Sequence, residues 1–256
     1  MAEELSRIDI PTIALDIFDE GILGERRKNL VYIGGSCKDI GQTAARHFLS
    51  QGLYRSYAFV PDLAGHTWSR LRGEAFIAEM AHNGFKTAVY RTRGKGYDLP
   101  KLRAWINKLS RPVGIFAAFD DRAIQVLEAC RDAGLDVPHQ VAVIGVDNDE
   151  MICPHTTPPL TSVQPDHTRI GELAAEKLME MMDGRRSTHP ERSQATSASE
   201  SDTKMMSRGQ SPFSIVRDLN ASFPVDSSKS KTAREFSPRL ETTIPRISGV
   251  KRIVAA

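Results

Sequence analysis

Three cysteines in 256 residues, Cys37, Cys130 and Cys153, are too few and too widely spaced for a disulfide framework or a zinc site. Thiols of this kind pack as small apolar side chains. Long apolar runs are missing as well. No stretch reaches membrane-spanning length, and Met1 to Lys28 scatter Asp and Glu where a signal peptide needs an apolar block, so a cytoplasmic chain with no membrane partner is expected. The seven histidines show no metal-ligand spacing and no neighbouring nucleophile, which leaves no metal site and no catalytic residue to predict. Ile33-Gly34-Gly35-Ser36-Cys37-Lys38 sits at a strand-to-helix junction but carries neither the dinucleotide spacing nor the phosphate-loop pattern, so no cofactor is expected. Arg91-Thr92-Arg93-Gly94-Lys95-Gly96 reads as a solvated basic loop.

The net charge of +2 divides unevenly. Residues 1–184 hold 21 Lys and Arg against 25 Asp and Glu, so the part with globular character has no basic footprint for nucleic acid. Residues 185–256 hold 13 against 7 and carry 20 Ser and Thr with few periodic apolar positions, the composition of a low-complexity, disordered tail.

From Ile10 to Gly184 short β-branched runs alternate with amphipathic segments, the pattern of a parallel sheet covered by helices. Strands are predicted at 12–15, 30–33, 56–60, 87–90, 114–118 and 141–146, and helices at 38–51, 69–83, 99–109, 121–133 and 167–183. Gln51-Gly52, Asn83-Gly84 and Ala133-Gly134 punctuate this series, because glycine takes the left-handed conformation that closes a helix before the next strand. Pro158-Pro159-Leu160-Thr161-Ser162-Val163 is extended and then β-prone, suited to crossing from one lobe to another.

In open α/β sheets ligands bind beyond the carboxyl ends of the strands. Phe119, Asp120, Asp121 and Arg122 follow one predicted strand, and Asp147, Asn148, Asp149 and Glu150 another; Trp68 and Arg72 open a helix after a third. A neutral sugar offers hydroxyls that both donate and accept, and an apolar C–H face, so carboxylates, an amide and a guanidinium beside an aromatic surface suit it. Plainer roles compete at each position: Asp120 or Asp121 as a helix cap, Asp147-Asn148 as a polar turn, Trp68 as a core anchor.

The run from Phe119-Asp120-Asp121-Arg122-Ala123 through Ala133-Gly134-Leu135-Asp136-Val137-Pro138 to Val143-Ile144-Gly145-Val146-Asp147-Asn148, followed by Pro158 to Val163, resembles the effector-binding domain of the lactose and galactose repressor family. With Trp68, Arg72 and the Asp-Asn-Asp-Glu at 147–150, it is most similar to the bacterial xylose operon regulators. The resemblance covers about residues 10–184. It implies a type I periplasmic-binding-protein-like α/β fold of two Rossmann-like lobes with parallel sheets, closing on a sugar.

Carried over position by position, it implies Arg72, Asp120, Asp147 and Asn148 as sugar ligands, Asp16 as a cleft residue of the other lobe, and Phe119 and Trp68 as the pocket wall. It further implies lobes at 34–159 and at 1–33 with 160–184, the latter incomplete because a first βαβα stretch is absent, with the family pattern stopping after Gly184. Neither helix-turn-helix arrangement of the family is present, so the expectation is the sugar-binding portion of a regulator, truncated or frame-shifted, touching DNA only through missing domains, with a homodimer as a further expectation. A transport sugar-binding protein and an α/β enzyme acting on sugars or nucleotides are the rival readings.

Overall fold

A computed structural model of the chain describes residues 10–16, 29–52, 54–91, 96–183, 196–197 and 203–208. All of these fall within the unit Met1–Val216, and the unit Arg217–Ala256 lies outside them, as do 92–95 of the basic loop and most of the tail beyond Gly184.

Two sheets result. The smaller has the order β1-β2-β8, with β1 (Thr12–Leu15), β2 (Leu30–Gly34) and β8 (Thr196–Ser197) all parallel. The larger has the order β4-β3-β5-β6-β7-β9, from β3 (Ser56–Val60), β4 (Thr87–Val89), β5 (Val113–Ala117), β6 (Val141–Val146), β7 (Thr161–Gln164) and β9 (Lys204–Met206). Five of its strands are parallel, and β9 alone pairs antiparallel, against β7. The helices are α1 (Cys37–Gln51), α2 (Thr67–His82), α3 (Leu99–Ile106), α4 (Asp120–Asp132) and α5 (His167–Met182).

β5 and β6 are buried along their whole length, which is why their sequences read as continuous apolar runs instead of alternating ones. One face of the large sheet meets α3 and α4 around Leu102, Ile115, Val126 and Val141; the other meets α1 and α2 around Phe48, Tyr57, Phe76 and Phe116. Gly52, Gly84 and Gly134 have φ of 68°, 84° and 66°, so the left-handed stops foreseen at the helix ends are where the chain turns back to the sheet.

Three features differ from the sequence expectation, the first being that Thr196–Ser197, in the tail expected to be disordered, pairs parallel with β2. Thr161–Gln164 pairs with β6 and joins the large sheet, so the chain crosses to the smaller sheet after Gln164 and not within 158–163. The apolar faces of Leu160 and Val163 are wholly buried there, which outweighs the pull of the preceding prolines. Residues 203–208, expected to be unstructured, lie along β7 with Met205 packed on the core. Averaged over 72 residues, the polar composition hides this Met205-Met206 pair, yet it suffices to cover an otherwise open edge.

Candidate ligand cavity between the two sheets

Beyond the carboxyl ends of β1, β2, β5 and β6 lies a cavity of about 360 Å³, lined by Asp16, Cys37, Trp68, Arg72, Phe119, Asp147 and His167 together with Gly35, Ile40, Pro165 and Ile170. Arg72 is its pivot. Its guanidinium projects from α2, and α2 is able to lie close against α1 because position 41 is glycine: a Cβ there would overlap the carbonyl of Arg72. Nη1 donates to the Ala118 carbonyl at 2.7 Å, Nη2 to Asp147 Oδ1 at 3.4 Å, and buried Nε has no hydrogen-bond partner.

The wall beside Arg72 is aromatic. Trp68 lies under the guanidinium at 4.9 Å, stacks on His66 at 5.5 Å, and meets Phe119 edge-on at 5.6 Å. His66 is fixed in turn by the buried Asp62, whose carboxylate lies 2.7 Å from His66 Nδ1 and also accepts from the Ala64 and His66 amides. The Trp68 ring therefore rests on a hydrogen-bonded loop, packs against the core and lines the cavity.

Two carboxylates enter from opposite sheets. Asp147 follows β6 at φ 99°, and Asp16 follows β1 at φ 52°, both in the left-handed region that non-glycine residues seldom occupy and that clusters at functional sites. Asp16 Oδ1 accepts from the Gly35 amide at 3.1 Å, which ties the end of β1 to the end of β2. Cys37, at the head of α1, is pushed above the ordinary thiol range by burial, with the Arg72 guanidinium opposing; it is a neutral surface in the cavity.

Of the residues expected from sequence, Arg72, Asp147, Asp16, Trp68 and Phe119 come together here. Asp120 and Asn148 do not. The Asp120 side chain is 3% exposed and turned the other way, accepting from Ser162 Oγ at 2.7 Å, the Asp149 amide at 2.9 Å and Cys153 Sγ at 3.2 Å. Burial raises its carboxyl above the usual carboxylate range, and the nearby Asp147 charge adds to the rise. Asn148 is buried behind Asp147, its amide donating to Ser162 Oγ at 3.0 Å and its Oδ1 accepting from Arg208. Each is held by its own contacts: Asp120, in the first turn of α4, by Ser162, Asp149 and Cys153, and Asn148, at φ 53° in a left-handed turn with Asp147, by Ser162 and Arg208. Cys37 and His167 escaped sequence reasoning: Cys37 was read as a packed thiol in a junction tested for phosphate-loop spacing, and His167 is one residue of a helix start with no motif around it.

Residues 45–201 match the periplasmic binding protein-like domain family, and the chain belongs to it. The match runs past Gly184, where the family pattern was expected to stop. The chain is 28% identical to the xylose operon regulatory protein of Haemophilus influenzae over 165 residues, 62% of this chain and 42% of that protein. It is 27% identical to the protein of the same name from Escherichia coli K12 over 188 residues, 71% of this chain and 47% of that one. It thus spans less than half the length of these relatives. Among solved structures, the xylose-binding transcription activator xylR superposes with a TM-score of 0.68 at 21% identity, over 82% of this chain and 55% of that one. A LacI-type regulator from Alkaliphilus metalliredigens complexed with D-xylulofuranose gives 0.64 at 19%, over 82% and 73%. At these identities the likeness defines the fold: α/β, with sheets that are chiefly parallel, like those of LacI-family effector domains. No helix among the described residues is long and apolar enough to cross a membrane.

Proposed function

We propose that this chain is the sugar-sensing part of a bacterial transcriptional regulator, with a pentose such as xylose as effector and not as substrate. The observation that carries the reading is the cavity itself, where a partly unsatisfied guanidinium, two carboxylates and an aromatic wall converge from two sheets. The names of the relatives above, all transcriptional regulators, support it. Sugar hydroxyls would donate to Asp147 and Asp16 and accept from the Arg72 guanidinium, while Trp68 and Phe119 cover the C–H face. Asp16 belongs to one sheet and Arg72, Asp147 and Trp68 to elements of the other, so a ligand bonded to both favours whichever arrangement of the lobes lets both bond at once. Asp120 and Asn148 belong to this reading as supports of Asp147. Contact with DNA and pairing of two copies are assigned to the whole regulator, of which this chain is the effector-binding portion, working in the cytoplasm.

Calorimetric titration with D-xylose, D-ribose, L-arabinose and D-glucose tests the reading. Saturable heat with at least one pentose is expected, and a folded protein that takes up none of the four contradicts it.

A further inference from the structure

Arg208 lies beyond the stretch that the family resemblance covers, yet it reaches the turn that presents Asp147. Its guanidinium Nη1 donates to Asn148 Oδ1, and its backbone amide donates to Thr161 Oγ1 at 3.1 Å. Lys204–Met206 runs antiparallel to β7 in the register Gln164↔Lys204, Val163↔Met205 and Ser162↔Met206, which delivers Arg208 to this spot two residues after the strand ends. On the other side of the turn Ser162 Oγ accepts from the Asn148 amide at 3.0 Å and donates to Asp120 Oδ1 at 2.7 Å, and the Asp147 amide donates to the Val163 carbonyl at 2.9 Å. Asp147 and Asn148 both have positive φ, at 99° and 53°. Two consecutive non-glycine residues in that region persist only where their surroundings hold them.

We infer that Arg208 is a positioning residue for the cavity: by fixing Asn148 from behind, it holds the left-handed turn that aims the Asp147 carboxylate at Arg72 and at the ligand. The segment 203–208 is then more than an edge cover. It couples the occupancy of β9 to the affinity of the site. An open β7 edge, with β9 undocked, leaves Asn148 Oδ1 without its cation and releases the turn. The alternation of the sheet supplies the reason that one short strand does both jobs: Met205 goes to the core, and the chain continues past the strand end to the loop beyond β6.

The inference rests on the sugar reading for one of its two readouts. In the full 256-residue chain, Arg208→Ala is compared with wild type and with Arg208→Lys, using D-xylose titration and amide exchange followed by mass spectrometry. Arg208→Ala is expected to weaken xylose binding about tenfold and to speed exchange over 147–149, leaving β3 and β5 as protected as in wild type; Arg208→Lys, which keeps the charge but not the fork, should recover part of both. Faster exchange across the whole large sheet marks a merely structural role and overturns the inference, as does an unchanged rate at 147–149, or a local change with wild-type affinity. If wild type binds no sugar, the reading above has failed, and exchange at 147–149 alone decides the role of Arg208: local acceleration upholds it, any other pattern removes it.

Discussion

The six-stranded sheet buries side chains on both faces, with Leu102, Ile115 and Val126 on one and Phe48, Phe76 and Phe116 on the other, whereas among the described residues the cluster on the three-stranded sheet has Ile33 and Ile170 as its buried members. The same alternation of strand and helix therefore produces unequal platforms. Arg72, Trp68, Phe119 and Asp147 stand on the well-packed one. Asp16 and Gly35 stand on the other, which α5 covers through Ile170, Leu173 and Ala174. On the proposed reading, a ligand in this cavity touches one half built on the larger core and one half built on the smaller.

That inequality is open to direct attack. Phe76→Ala removes a fully buried ring and is expected to lower stability by about 3–5 kcal/mol, while Ile170→Ala, in the small cluster, should lose about 2 kcal/mol or less. Urea unfolding of both variants checks the ranking, and equal losses would dissolve the contrast between the sheets.

A second experiment sharpens the difference between the cavity and the network behind it. A Cβ on Gly145 would overlap Asp120 Oδ1, so Gly145→Ala should cost about 1–3 kcal/mol by displacing Asp120. Restored stability in Gly145→Ala combined with Asp120→Ser would confirm the clash as the cause.

Asp120 also sets a pH dependence. Its folded carboxyl titrates above the ordinary range because of burial, so the folded state holds its proton more tightly than the unfolded state does. The stability it contributes is present below the ordinary carboxylate pKa and is lost as pH rises through its raised folded value. Wild type should therefore gain melting temperature relative to Asp120→Asn as pH falls from 7 toward 4, and a constant gap would show that Asp120 does not titrate in this way.

The smallest effect concerns the thiols. Cys130 and Cys153 are pushed up to about 12 by burial, and Cys37 is raised as well, so a thiol reagent at pH 8 should leave Cys130 and Cys153 untouched in the native protein and label Cys37 slowly from the cavity. Xylose should slow that labelling further; equal labelling of all three would mean that the large sheet opens.

Much of the fold was legible because helix stops and buried strands leave strong local marks: glycine at 52, 84 and 134, and unbroken apolar runs at β5 and β6. The cavity was legible only by half. Strand ends announced Asp147 and Phe119, but Asp120 and Asn148 look equally polar and equally placed, and a string of letters does not show which of two adjacent side chains faces inward. β9 was invisible for another reason, since a three-residue strand has no periodicity to read and gains its stability from the edge it covers.

One substitution made at two positions tests the central claim. Asp147→Asn keeps a residue type that tolerates positive φ but removes the charge from the cavity, and Asp120→Asn makes the same change in the buried network. With D-xylose affinity and melting temperature measured on both, Asp147→Asn should bind about ten- to a hundredfold more weakly at near wild-type stability, and Asp120→Asn should show its main effect in stability. Unaltered affinity in Asp147→Asn, with the loss falling on Asp120→Asn instead, would contradict the account and return Asp120 to the ligand.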